Sequence, residues 1–298
     1  MAEIAFGIHL PSSSAARFDD IVSYARRCED LGFDSVWVAD HILSGASGSL
    51  YEPLTTLAVL SANTEKVRLG TSVLIASMRS PVLLGDITGT IQEASGGRLI
   101  LGVGVGWDRH EFESLGVPFE ERGTVTDECL EILRGLWKAE PFSYEGAHFT
   151  VKDVTIGAPP KRPPPIWIGG NSLRAIRRAA KYDAWFPTDP TVDEIKRGKA
   201  TLTRLIKTGD KPMIAAHIYL VTENTTPGAE RSAMFLSERS GDTLSQIKEW
   251  AIVGDGEITK KRMSQYLDAG VRYFVFTLPH TKNYETSLDK VARLTSQF

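Results

Sequence analysis

The chain has 298 residues, 42% apolar and 24% charged, with 26 Gly and 15 Pro, a composition that excludes collagen, coiled coil and wholesale disorder. Its 34 Lys and Arg against 37 Asp and Glu leave a formal charge of -3, without the clustered positive face that nucleic acid requires. Only two cysteines, a start lacking a basic segment followed by an apolar one, and apolar runs too short for a bilayer lead to the expectation of a cytoplasmic protein with no membrane partner.

Residues 4–10 form an apolar run closed by Pro11, and Phe18, Ile21, Val22, Ala25, Cys28 and Leu31 follow at helical spacing until Gly32. This predicts a strand and then a helix. The unit recurs as strand 35–39 with helix 53–62, strand 67–75 with helix 81–94, and strand 98–105 with helix 125–138. Each strand is nearly all apolar rather than alternating, as burial on both faces of a parallel sheet demands.

Between 140 and 165 the rhythm breaks at a hairpin-type turn, Tyr144-Glu145-Gly146, and a stiff proline-rich run, 159–165. This stretch reads as an insertion, with Phe142, Tyr144 and Phe149 as the apolar underside of an expected cover over the site. The units then resume: 166–168 with 172–181, 184–186 with 192–207, 213–221 with a helical region to about 254 and on to 269, and 271–278 with 284–298. Eight such units predict one α/β domain over residues 1–298, a closed (β/α)8 TIM barrel with insertion 140–165. An open doubly wound sheet competes less well, because Ile8-His9-Leu10-Pro11-Ser12 stands where its Gly-rich fingerprint would follow the first strand.

In a barrel, chemistry gathers where strands end. Here those ends carry His9, Asp40-His41, Thr71-Ser72, the run 102–107, Gly169-Gly170-Asn171-Ser172, Trp185-Phe186-Pro187 and Thr277 to His280. Metal-ligand spacing is absent around His41, His110 and His148. His41 can trade protons near working pH, and the adjacent Asp40 could hold its tautomer; alternatively Asp40 caps the next segment and His41 is a loop residue. The glycines at 102, 104 and 106 either admit a close approach to the backbone or satisfy a crowded barrel interior. Gly169 to Ser172 can offer free N–H groups to a phosphate, or Asn171 or Ser172 can be a plain helix cap. Trp107 either walls a pocket or packs on its own helix. Arg98 reads as a turn residue with a surface or ion-pair role, and Trp137, Leu133 and Leu136 as core.

The segments Asp34-Ser35-Val36-Trp37-Val38-Ala39-Asp40-His41, Val67-Arg68-Leu69-Gly70-Thr71-Ser72-Val73-Leu74, Gly96-Gly97-Arg98-Leu99 through Gly106-Trp107 with Glu111-Phe112, and Ile166-Trp167-Ile168-Gly169-Gly170 resemble the luciferase-like monooxygenase superfamily in this order and spacing. The stretch from Gly102 to Trp107 is closest to its deazaflavin (coenzyme F420)-dependent oxidoreductase branch. The resemblance implies F420 at the C-terminal mouth, with FMN as the alternative cofactor. It implies a cis peptide between Ser72 and Val73, and cofactor contacts from Asp40, Thr71, Ser72, Val73, Gly104, Gly106, Trp107, Gly169, Gly170, Asn171 and Ser172.

By the same resemblance His41 sits beside the substrate carbon that exchanges hydride. The sugar-phosphate enzymes of the branch carry glutamate where this chain has Trp107 and tryptophan where it has Gly45, so a sugar phosphate is not the expected substrate. The proton source then falls to His41, Asp40 or water. The expected function is an oxidoreductase passing a hydride between F420 and a small organic substrate. A two-component FMN monooxygenase, fed by a flavin reductase, is the alternative, and a non-catalytic flavin-binding barrel the third. The resemblance further implies a homodimer through the helices flanking strands 2 and 3, with an F420 or flavin reductase as a possible partner.

Overall fold

The computed structural model describes residues 4–13, 16–43, 50–279 and 284–298. Its strands are, in chain order, β1 (Ala5–His9), β2 (Ser35–Val38), β3 (Arg68–Thr71), β4 (Leu74–Ile75), β5 (Leu99–Gly104), β6 (Phe142–Glu145), β7 (Thr150–Val154), β8 (Ile166–Gly169), β9 (Ala184–Phe186), β10 (Met213–Thr222), β11 (Ile252–Gly254) and β12 (Tyr273–Thr277). Hydrogen bonds order them β10-β12-β1-β2-β3-β5-β8-β9, and β9 pairs with β10. That closes a (β/α)8 barrel, as the strand-helix rhythm predicts. Two compact units divide the chain: residues 1–11, 24–37 and 170–298 form the first, residues 12–23 and 38–169 the second.

In the first unit the inward residues of β1, β2 and β12 interlock. The Ser35 hydroxyl accepts from Trp37 Nε1 at 2.6 Å and from the Tyr273 hydroxyl at 2.8 Å. A Cβ on Gly7 would fall 2.2 Å from that hydroxyl, so the close approach requires glycine there. Past β10, where one helical region is predicted, the chain makes three short helices, Thr226–Ser232, Met234–Ser240 and Leu244–Trp250. The left-handed Gly241 ends the second, and a capping box at Thr243 starts the third. They wrap an apolar cluster of Val221, Ala229, Ala233, Leu236, Ile247, Ala251 and Val253.

In the second unit the predicted strand 67–75 is interrupted by a cis peptide between Ser72 and Val73, which separates β3 from β4. Helices Pro53–Asn63 and Pro81–Ala94 each begin on proline, where the missing N–H costs nothing. Arg98 is no surface residue: its guanidinium donates to the carbonyls of Ser61, Thr64, Val67 and Ser95, closing the end of a helix against the start of a strand. Trp137, Leu133 and Leu136 lie in the core as expected.

The insertion makes the hairpin β6–β7, but not the expected cover. The turn's backbone N–H groups at Ala147, His148 and Phe149 donate to the Glu128 carboxylate, and the Tyr144 hydroxyl donates to Glu131. Phe142 fills the slot left by Gly135, where a Cβ would be 2.1 Å from its ring. The hairpin is therefore strapped to the outer helix Arg122–Leu136, which provides both the slot and the carboxylate. The chain beyond it continues to helix Pro81–Ala94 through Gly157 N–H to Asp86 and Gln92 to the Arg162 carbonyl.

Candidate active site

The candidate site lies in the second unit, beyond the end of β2. His41 follows Asp40 there, and Glu111 reaches it from the short helix Arg109–Ser114. Phe112, fully buried against Ile75 and Met78, anchors that helix and so fixes its neighbour Glu111. His41 Nδ1 stands 3.1 Å from Glu111 Oε2, while Oε1 accepts the N–H groups of Ile42 at 2.7 Å and Leu43 at 3.2 Å. Glu111 is 1% exposed. A carboxylate can only accept, so it assigns a proton to Nδ1; among the described residues nothing bonds Nε2.

Asp40, the neighbour expected to hold the imidazole, is turned elsewhere. Its Oδ2 accepts from Arg79 Nη1 at 2.6 Å and from the Ile75 N–H at 2.8 Å, and its Oδ1 accepts from Arg79 Nη2 at 3.0 Å. Adjacent in sequence, Asp40 and His41 thus take different partners. Asp40 fastens the segment after the cis peptide rather than orienting His41. Glu111 does the orienting. The motif Glu111-Phe112 was the sequence signal for it, but the pairing with His41 was not legible.

The cis peptide is closely held. The Ser72 N–H donates to the Val38 carbonyl at 2.8 Å, and the buried Thr71 hydroxyl donates to the Gly102 carbonyl at 2.8 Å. A Cβ on Gly104 or Gly169 would lie 2.5 or 2.7 Å from a Val73 methyl, so both glycines cradle that isopropyl group. Gly106, with φ of 75°, backs onto Phe112 at a distance that leaves no room for a side chain. Trp107 is 60% exposed and stands edge-on to His41, ring centres 5.4 Å apart.

Gly170, Asn171 and Ser172 belong to the first unit. Gly170 is left-handed, Asn171 makes two hydrogen bonds to the Thr188 backbone, and the Ser172 hydroxyl accepts from the Ala175 N–H. Ser172 thus acts as the plain helix cap. Gly45 and His280 lie outside the described residues. Among the described residues no group of three His, Cys, Asp or Glu could hold a metal, and no helix is long and apolar enough to cross a membrane.

A closed barrel with a carboxylate-paired imidazole past one strand end and a cis peptide cradled by glycines past another is the arrangement of a barrel enzyme. The luciferase-like monooxygenase model matches residues 4–272, and the chain belongs to that family of oxidoreductases. It is 28% identical to an F420-dependent glucose-6-phosphate dehydrogenase of Amycolatopsis mediterranei, across 90% of this chain and 91% of that one. Among solved structures, an F420-dependent secondary alcohol dehydrogenase with an F420-acetone adduct aligns with a TM-score of 0.86 at 20% identity over 98% of both chains. The oxygenating constituent of 3,6-diketocamphane monooxygenase from Pseudomonas putida, in complex with FMN, aligns with a TM-score of 0.81 at 17% identity over 100% of this chain and 99% of that one.

Proposed function

We propose that the protein is an F420-dependent oxidoreductase that moves a hydride between the deazaflavin and a small organic substrate. The observation that carries this reading is the likeness to an F420-dependent dehydrogenase over nine-tenths of both chains. The residues present fit the group: Val73, pinned between Gly104 and Gly169, offers a fixed apolar face against which a flat ring can lie. Ser72 and Val73 would hold the ring, with Thr71, Gly106 and Trp107 beside it. Asp40 would act through the segment it fastens to Arg79.

When bound, F420 supplies a carbon that gives or accepts a hydride. His41 Nε2 gives or accepts the accompanying proton at the substrate oxygen or nitrogen, and Glu111 stabilises the imidazolium whenever His41 carries both protons. Trp107 adds an aromatic edge where a carboxylate would serve a sugar phosphate.

The FMN-containing neighbour favours a second reading, a two-component monooxygenase. Parallel titrations with F420 and FMN separate them. F420 is expected to bind at least about a hundredfold more tightly, roughly 2.7 kcal/mol, and tighter FMN binding would overturn the assignment. The same proposal treats residues 1–298 as one cytoplasmic domain that works with an F420 reductase. It includes a homodimer through helices Pro53–Asn63 and Pro81–Ala94: Thr55, Ala58, Val59 and Ala62 make an uncharged outer face on one, and Leu83 is 59% exposed on the other.

A further inference from the structure

Strand register builds a second polar group of side chains, all of it within the first unit. Both β1 and β10 pair with β12 so that His9, Thr277 and Tyr219 stand in one row at the C-terminal ends of three neighbouring strands. Behind them His217 shares a 2.6 Å hydrogen bond with the Thr277 hydroxyl and lies between the rings of His9, at 5.1 Å, and Phe186, at 6.0 Å.

Asp189, just past β9, has φ of 47°, a left-handed conformation uncommon for a residue with a side chain. It is fixed there from both sides: its N–H donates to the His217 carbonyl at 2.7 Å, and Tyr219 N–H donates to its Oδ1 at 3.3 Å. Among the described residues nothing bonds its other oxygen. An ordered outlier with an unused polar atom points to a ligand-facing role. His9, Asp189, Tyr219 and Thr277 each keep part of their surface open, so small molecules can reach the row.

Charge decides what it would take. Burial, with help from Arg239, pushes His9 down to about 4, and burial beside His9 pushes His217 well below the usual histidine range, so both rings are neutral. Burial lifts Asp189 to about 7. Arg239 is committed to the Tyr219 hydroxyl at 2.7 Å. An incoming anion would meet Asp189 and an incoming cation would meet Arg239. An uncharged hydroxyl or carbonyl finds imidazole nitrogens, a hydroxyl and a free carboxyl oxygen without that opposition.

We propose that the Tyr219–Thr277–His9 row and Asp189 form a binding subsite for an uncharged, hydroxyl- or carbonyl-bearing small molecule. The oxidoreductase reading is needed only to call that molecule the substrate. The test is a matched three-carbon series, glycerol, glycerol phosphate, glycerate and aminopropanediol, titrated into the cofactor-free full chain while the His9 and His217 ring resonances are followed. Glycerol should move both sets of signals and bind about tenfold more tightly than each charged analogue.

Asp189→Asn, which tolerates the left-handed backbone and keeps an acceptor, should bind glycerol within about twofold of the parent. Asp189→Gly, equally free of strain but without the carboxyl, should lose about tenfold. A charged analogue that binds more tightly than glycerol overturns the proposal, as does binding that Asp189→Gly leaves unchanged, or signals that no probe moves. Melting curves of both variants verify the fold. If glycerol binds as expected while F420 does not bind at all, the oxidoreductase reading fails and the subsite stands.

Discussion

At the end of β2 the carboxylates are ringed by donors: Asp40 takes Arg79 and the Ile75 N–H, and Glu111 takes His41 and the N–H groups of Ile42 and Leu43. At the ends of β1, β9, β10 and β12 the cation Arg239 is bonded to the Tyr219 hydroxyl, and Asp189, His9 and His217 have no charged hydrogen-bond partner among the described residues. Asp189 accepts one long N–H bond, His217 meets a hydroxyl, and burial shifts His9, His217 and Asp189 each toward the neutral form. The contrast lies in the partners that each strand end supplies when water leaves: ion-pair and N–H donors in the first region, chiefly burial in the second. On the proposed function the first region keeps and relays a proton, and on the proposed subsite the second hydrogen-bonds an uncharged group.

Removing the relay should have the largest effect. His41→Ala is expected to lower turnover about 10² to 10⁴-fold with little change in melting temperature or F420 affinity, measured by single-turnover reduction. Normal turnover would leave water or unassisted hydride transfer as the proton route and dissolve the contrast. Next in size is Asp40→Asn, which strips the charge that Arg79 faces. Urea unfolding should report a loss of about 1 to 3 kcal/mol, because the guanidinium keeps Glu52 at 3.0 Å but loses the charge of its buried partner. An unchanged midpoint would mean that solvent screens the pair.

The barrel was legible because each buried strand is an apolar run and each flanking helix carries its own period, and the cis peptide fell on the motif around Ser72 and Val73. Partners were not legible. Asp40 and His41 read as a couple because they are adjacent, yet the folded chain pairs them with Arg79 and Glu111. The row of His9, Thr277 and Tyr219 is equally hidden: it exists only once β1, β10 and β12 are in register. The hairpin aromatics announced a buried side without saying which surface would bury it, since that depends on the slot at Gly135.

Glu111→Gln sharpens the first half of the comparison. The amide still accepts from Ile42 and Leu43, but the acceptor-only partner of Nδ1 is lost, so the preferred tautomer is no longer enforced. Turnover should fall about 10 to 100-fold with a displaced pH profile, while Glu111→Asp should recover part of it. A pure stability loss with an unshifted profile would reduce Glu111 to a structural tie.

The smallest effect tests the second half, through the pH dependence of stability. Asp189 holds its proton up to about 7, against 3.8 for an ordinary carboxyl, so from pH 4 to 7 the folded state binds more protons there than the unfolded chain does. Stability from this group is therefore lost as pH rises through that window. His9, down at about 4 from 6.5, and His217, shifted the same way, have the opposite sign: between pH 4 and 6.5 the unfolded chain binds the extra proton, and stability grows with pH. In the parent protein these slopes partly cancel. Asp189→Asn removes only the falling contribution, so its unfolding free energy should climb more steeply than the parent's from pH 4 to 6.5, by up to roughly 1.4 kcal/mol per pH unit. The two curves should become parallel above pH 7, where Asp189 is ionised in both states. Other carboxylates are common to both proteins and drop out of the difference. Parallel curves throughout would show that Asp189 is already charged at the strand ends, and the distinction between the two regions would be lost.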